Sequence, residues 1–554
     1  MEKSLLKEWE KTKQLTRQGY KILDKEMTIA IPGPCFPAYS QDKDTGIGSP
    51  YGQGGKDFCS FWNKVVDKVL LGPSGKTFAP LFSPYESTLS ENPLFIPLEN
   101  WTGKLLLKKT LQDIYDTPKQ DGEIFYPAVS RSYNKALLEM YQTFLNKLED
   151  DDAFALDLKN RIYCFIKDNP LLKLDAKYHA PFDKERYFFE SFLAYHATIS
   201  TKSKIPTIGD LQVKIPEIIY FEYPQLFLKN FTLGSPPDIY SDKNQDWFFK
   251  VFNPDYIFNK DGSLGKAGVF LYQIFDMLFK SHKGGIRIDH YIGFVNPFVI
   301  ARNPKYKSGR LYSSYDNSVL KKYKKQTIQN FADITQKIIL KAMADNHMTV
   351  NDIYPEDLGA RPEQLDKVLD FCHLGRMIVP QFANIDNAED AYHLKNARKQ
   401  DIAALDTHDM PSIIDYFAQM TDADRYKHAL NMAEYLRFDY SDFLKSDTSL
   451  IRMKWAELLT CPAKRVQAFF TSFTGQKGRY NDPTNPKKWR LRCVCHFKEL
   501  YFQNLIKGIA YNPLDAIALA IYARGDDFYN KNKDFVAKLR QQEEILFNTI
   551  KETI

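Results

Sequence analysis

The stretch GGIRIDH, Gly284–His290, decides the fold. It is short, apolar at alternate positions and ends in an acid beside a histidine. Side chains of a strand alternate faces, so Ile286 and Ile288 point one way and Arg287 and Asp289 the other. In a parallel barrel one face packs against outer helices. The other points inward, and at the C-terminal end of the strand it opens on the active-site mouth. Arg287 and Asp289 then sit together in that mouth, where the cation keeps the acid ionised, as a nucleophile requires. A purely structural Arg–Asp pair is the competing reading.

Two further segments have the same form, NDIYPEDLG (Asn351–Gly359) and AALDTHDMP (Ala403–Pro411). Their surroundings alternate. Lys325–Asp345 and Pro362–His373 have helical periodicity, and Thr349–Tyr354, Met377–Phe382 and Asp401–Asp406 are strand-like. This rhythm marks parallel βα units. A (β/α)8 barrel enzyme with insertions accommodates all 554 residues as one unit. Helical periodicity and many charges over 102–205 predict an inserted, largely helical subdomain. Pro236–Pro237, Asn253–Pro254 and Asp261–Gly262 predict a loop region over 232–266, a candidate lid. An apolar helix is expected from about Phe58 to Leu70, and helices from Pro513 to the end.

Asp289, Glu356 and Asp409 thus fall at the ends of three different strands. Glycosidic chemistry needs such a set, with one carboxylate to attack the anomeric carbon and one carboxylic acid to protonate the leaving oxygen. Taken singly, Glu356 also reads as an acid at a helix N-terminus, and Asp409 as a turn or N-cap residue.

The chain carries 75 basic and 69 acidic residues, a net charge of +6. Over this length that gives no reason to expect nucleic acid or a membrane surface. The first residues, MEKSLLKEWEKTKQ, lack the apolar core of a secretory signal. No uncharged run approaches the ~18 residues of a membrane span. Seven scattered cysteines suggest reduced thiols and a cytoplasmic setting. The run Cys493–Val494–Cys495–His496 is a poor zinc signal, because nothing near it in sequence completes a ligand set. Neither a metal nor a cofactor is expected, and no glycine-rich phosphate loop points to a nucleotide donor.

Together the three segments resemble the amylomaltase, or disproportionating-enzyme, family of 4-α-glucanotransferases (glycoside hydrolase family 77). They match its R-[IV]-D-H, E-D-L-G and T-H-D motifs as Arg287–His290, Glu356–Gly359 and Thr407–Asp409. Further landmarks keep order: Ser83-Pro84-Tyr85 with Asn92-Pro93-Leu94, Gly209-Asp210-Leu211, and Pro236-Pro237-Asp238 with Ser241, Gln245 and Trp247. His393, Tyr480-Asn481-Asp482-Pro483 and Trp489-Arg490 follow. The resemblance implies Asp289 as nucleophile, Glu356 as general acid and base, and Asp409 as transition-state stabiliser. It implies that Arg287 holds the charge of Asp289 and that His408 and Tyr85 bind the sugar at the cleavage point. It places Asp238, Gln245 and Trp247 in a lid over the acceptor side and Asn481 on sugar hydroxyls. Ser83, Asp210 and His393 complete the implied substrate-binding set, with a structural role as the alternative for His393. Maltooligosaccharides or longer α-glucans are the implied donors and acceptors.

The sequence departs from the family at Tyr291-Ile292-Gly293-Phe294, where relatives carry a second Arg, and at Asp406, where Gly is usual. It departs again at Asn244 in the lid, and at a Lys/Tyr-rich insert near Ser313–Lys325. A plain α-glucan hydrolase on the same scaffold, an inactive glucan-binding protein and an unrelated α/β metabolic enzyme are the other readings.

Overall fold

The computed structural model describes residues 3–554 apart from 87–88, 202–204, 238–240, 314–318, 324, 360, 444–445 and 483–487. Eight short strands form a parallel barrel: β1 (Glu26–Ala30), β2 (Lys68–Leu70), β3 (Thr207–Leu211), β4 (Gly285–Ile288), β5 (Ile353–Pro355), β6 (Met377–Ile378), β7 (Ile402–Ala404) and β8 (Arg465–Phe469). The hydrogen-bonded order is β6-β7-β8-β1-β2-β3-β4-β5. At the β5–β6 seam a side chain does the joining. The Asp357 carboxylate accepts the Met377 N–H at 2.6 Å and faces Arg361 at 3.0 Å.

The interior is unusually polar at its N-terminal end. Lys68 Nζ lies 3.0 Å from both Asp352 and the Tyr354 hydroxyl, and 3.2 Å from Glu26. The Arg465 guanidinium donates to the carbonyls of Asn351 and Ile353 at 2.9 and 3.0 Å. Outward-facing Ile286 and Ile288 are fully buried against the surrounding helices. Helix Lys266–Ser281 presents Phe270, Leu271, Ile274, Phe275 and Leu278 on its buried face, the spacing of a core-facing stripe. Gly285 is required where β4 begins. Its φ is +116°, and a Cβ there would lie 2.0 Å from the Asp352 carbonyl oxygen.

Between β2 and β3, residues 102–205 hold helices Lys108–Asp116, Tyr126–Glu149, Ala153–Asp168, Leu171–His179 and Lys184–Ser200. Helices Pro513–Ala523 and Asp526–Thr553 pack with the first helix, Lys3–Leu23, on the outside of the barrel. No helix among the described residues is long and apolar enough to cross a membrane.

Two local expectations fail. The helix expected over Phe58–Leu70 ends at Trp62, and Lys68–Leu70 is β2. The break falls at Lys64, whose φ is +74°, followed by β-branched Val65 and Val66. Much of 232–266 is sheet rather than loop. Strands Phe227–Ser235 and Gln245–Phe252 pair antiparallel, and Phe298–Ala301 and Gly309–Arg310 extend the sheet to four strands. The turn-forming prolines lie outside the ladder, at 236–237 and 254, while Phe231 and Leu233 inside it are buried.

Candidate active site

Arg287 organises the C-terminal end of β4. It pairs across the barrel register with Asp210 of β3. Its NH1 donates to both Asp210 oxygens at 3.0 and 2.7 Å, and its NH2 donates to Asp289 Oδ1 at 2.9 Å. Burial works to lower the Arg287 pKa, but the carboxylates of Asp210, Asp289 and Glu356 raise it well above its ordinary value, so the cation is permanent. Burial pushes Asp210 up to about 7 against the pull of Arg287. A single guanidinium nitrogen spans both Asp210 oxygens, a charge-assisted contact. Asp289, by contrast, keeps a quarter of its side chain open to solvent.

Glu356 follows β5 and is tied to β4 and the two residues just beyond Asp289 by three hydrogen bonds, with a fourth inside its own loop. Its N–H donates to the Ile288 carbonyl at 2.9 Å, and its carbonyl accepts from Tyr291 N–H at 2.8 Å. Its carboxyl oxygens accept the N–H groups of His290 at 2.8 Å and Leu358 at 2.7 Å. His290, the residue after Asp289, adopts φ +44°. A left-handed backbone at a non-glycine residue costs on the order of 1–3 kcal/mol and persists where its surroundings hold it. Here it aims an amide at Glu356. The next residue, Tyr291, is anchored by a 2.7 Å hydroxyl contact with Thr335 in a π-helical segment, Thr335–Ile339. Burial raises the Glu356 pKa to about 8, with the negative charge of Asp289 adding to it and Arg287 and the two amides opposing. Glu356 is therefore protonated at neutral pH. The next helix starts only at Glu363, so Glu356 is not an acid of its first turn.

Asp409 lies beyond β7. Asn481 Nδ2 donates to its Oδ1, and Asn481 N–H donates to the His408 carbonyl at 2.9 Å. His408 Nε2 lies 2.7 Å from the Tyr85 hydroxyl and 3.4 Å from Asp409 Oδ2. Burial lowers the His408 pKa, so its ring is neutral at pH 7. The N-cap of the following helix is Ser412, not Asp409. Burial raises the Tyr85 hydroxyl well above its usual value, and Asp409, Asp289 and Asp210 each add to the shift. The negative charges of acids on β3 and beyond β4 and β7 thus all act on one phenol, whose ring packs 5.5 Å from Trp489.

The remaining residues divide. Trp247 sits edge-on to the His290 ring at 4.6 Å. Gln245 lies opposite Ser235 in the hairpin ladder. Ser83 Oγ accepts the Tyr85 N–H at 3.2 Å, which shapes the turn that presents Tyr85. His393 Nε2 faces the carbonyls of Asn384 and Asn387 at 3.1 and 3.0 Å, an anchor for its own loop. Asp238 lies outside the described residues. Asp406 turns away from the mouth. It accepts the Phe469 N–H at 2.6 Å and the Ser472 hydroxyl. Sequence reasoning missed the seam role of Asp357 and the amide of His290. Neither has a local signal, since each acts on a partner 20 or more residues away.

A parallel barrel with acids from several strands at its C-terminal mouth, Glu356 held protonated by burial, is a frame suited to work on glycosidic bonds. The chain belongs to glycoside hydrolase family 77, described as 4-alpha-glucanotransferase, whose model matches residues 184–496. Among curated relatives, a 4-alpha-glucanotransferase of Clostridium butyricum is 24% identical over 84% of this chain and 96% of its own length. One from Chlamydia pneumoniae is 24% identical over 80% of this chain and 87% of its own. The fold matches the amylomaltase of Streptococcus agalactiae, solved in complex with acarbose, with a TM-score of 0.69 and 17% identity over 90% of this chain and 99% of that one. It also matches the Corynebacterium glutamicum amylomaltase, with a TM-score of 0.60 and 15% identity over 94% and 76%.

Proposed function

We propose that this 4-α-glucanotransferase moves a segment of an α-1,4-glucan to the 4-hydroxyl of an acceptor glucan through a glucosyl ester on Asp289. The observation that carries the reading is an Asp289 ion-paired with Arg287 beside a buried, protonated Glu356 that is fixed by the amide of His290, the residue after Asp289.

In the first step an Asp289 oxygen attacks the anomeric carbon while Glu356 delivers its proton to the departing glycosidic oxygen. Glu356 is left as a carboxylate, whose charge the His290 and Leu358 amides and Arg287 offset. In the second step it takes the proton of the acceptor hydroxyl as that oxygen displaces Asp289. Configuration is retained and Glu356 regains its proton. Asp409, steadied by Asn481, serves the ring hydroxyls and the positive charge of the transition state, with neutral His408 and Tyr85 beside it. Gln245 and Trp247 serve the acceptor side, where the paired strands Phe227–Ser235 and Gln245–Phe252 keep water from the ester, and the family resemblance assigns Asp238 to the same side.

Seven cysteines without disulfides among the described residues accord with a cytoplasmic setting. The test is the product profile from pure maltotriose. Glucose plus a ladder of longer maltodextrins, with reducing ends nearly constant, is the expected result. A steady rise in reducing ends marks a hydrolase and overturns the transfer reading.

A further inference from the structure

The C-x-C-H run of the sequence gains a third ligand in space. Asp121, 374 positions upstream of Cys495, accepts the Cys495 N–H on Oδ1 at 2.9 Å. That bond fixes the carboxylate so that Oδ2 faces Cys495 Sγ at 3.3 Å and His496 Nδ1 at 3.2 Å, while Sγ and Nδ1 are 4.0 Å apart. Tetrahedral zinc, with sulfur at ~2.3 Å and nitrogen or oxygen at about 2.0–2.1 Å, sets its ligand atoms about 3.3–3.6 Å apart. The Oδ2–Nδ1 separation lies within about 0.1 Å of that spacing, Oδ2–Sγ is about 0.2 Å short of the spacing for a sulfur–oxygen pair, and Sγ–Nδ1 relaxes by a rotation of the exposed His496 side chain.

We propose that Asp121, Cys495 and His496 form a binding site for a borderline-soft divalent cation, zinc above all, with its fourth position open to solvent. One thiolate, one imidazole and one carboxylate suit zinc and disfavour magnesium or calcium, which take oxygen ligands. The site is reachable, since His496 is exposed and the other two are half-buried. On binding, the metal takes the place of the thiol proton that Cys495 now donates to Asp121, and that proton leaves to solvent.

The position gives the site a purpose. Loop 121–124 runs beside the segment 490–492, with Arg492 N–H donating to the Gly122 carbonyl at 2.9 Å and Ile124 N–H to the Arg490 carbonyl at 2.8 Å. That segment continues back to Trp489 and Asn481, which contact Tyr85 and Asp409. A metal here staples the inserted subdomain to the strand of chain that reaches the sugar site. It stabilises the protein without touching the reacting atoms.

The experiment is a titration of the chelator-stripped full chain with Co2+, then Zn2+. One equivalent of Co2+ should give tetrahedral visible bands and a thiolate charge-transfer band, and one equivalent of Zn2+ should displace it and raise the unfolding temperature. C495S should abolish the charge-transfer band. It should weaken zinc at least about 100-fold, because changes to outer-shell partners alone cost 10–100-fold. D121N should weaken it too, whereas C164S, at an exposed cysteine elsewhere, should leave uptake intact. Near-ultraviolet dichroism and unchanged maltotriose disproportionation in C495S establish that it is folded. Failure of the wild type to bind one equivalent, an octahedral cobalt spectrum, or equal affinity in C495S would overturn the proposal.

Discussion

Glu356→Gln tests the electrostatics of the site in two ways at once. In the native protein both carboxyl oxygens accept a backbone N–H, from His290 and from Leu358. An amide has one oxygen, so its NH2 must face an N–H group, and the unsatisfied donor costs about 1–3 kcal/mol. Against this stands the cost of ionising the buried acid. Its pKa rises from 4.5 to about 8 on folding, and at about 1.4 kcal/mol per tenfold change this is on the order of 5 kcal/mol. The folded pKa is the higher one. The proton's contribution is therefore complete below about 4.5 and is lost as pH climbs to about 8. Denaturant unfolding at pH 5, 7 and 9 should find the variant less stable than wild type at pH 5. The difference should shrink and then reverse by pH 9. In the same window wild-type kcat should fall above about pH 8 as the acid ionises. The variant should lose about 10²- to 10⁴-fold on maltotriose but retain the first step with a glucosyl fluoride, whose leaving group needs no proton. Parallel stability curves for the two proteins from pH 5 to 9 would refute the reasoning.

Arg287→Met should leave Asp210 and Asp289 as neighbouring anions and cost about 3–5 kcal/mol. The loss should be larger at pH 8 than at pH 5, where protonation of the buried Asp210 relieves it. Asp406→Ala should cost about 1–3 kcal/mol by thermal unfolding, because it strands the buried Phe469 N–H. The pH optimum should not move, because this acid faces away from the sugar. Trp247→Ala removes the indole packed on His290. It should raise the share of hydrolysis, read as new reducing ends per maltotriose consumed.

The acids of the candidate site carry a plainer local signal in the sequence than several strands of the barrel. The candidate acids Asp289 and Glu356 directly follow short apolar strands and Asp409 lies a few residues beyond one, each near Gly, Pro or His, a pattern carried by neighbouring residues alone. Strands β1, β2 and β8 carry no such mark. Their inward positions are Glu26, Lys68 and Arg465, which form the ionic floor of the barrel with Asp352 and Tyr354. Charged residues on the buried face erase the alternation that announces a strand. β2 is also only three residues long and follows a helix. The hairpin was hidden by prolines that flank its strands. The link between His290 and Glu356 spans 66 positions, and the meeting of Asp121 with Cys495 spans 374. Contacts of that range have no periodicity to read.

The central claim is that Asp289 carries the sugar between the two steps. The direct measurement is the intact mass and peptide map of the Glu356→Gln variant after reaction with α-maltosyl fluoride. A single maltosyl adduct on the peptide containing Asp289, absent from the Asp289→Asn double variant, is the expected result. A label on another residue, or no label with products of inverted configuration, would contradict it.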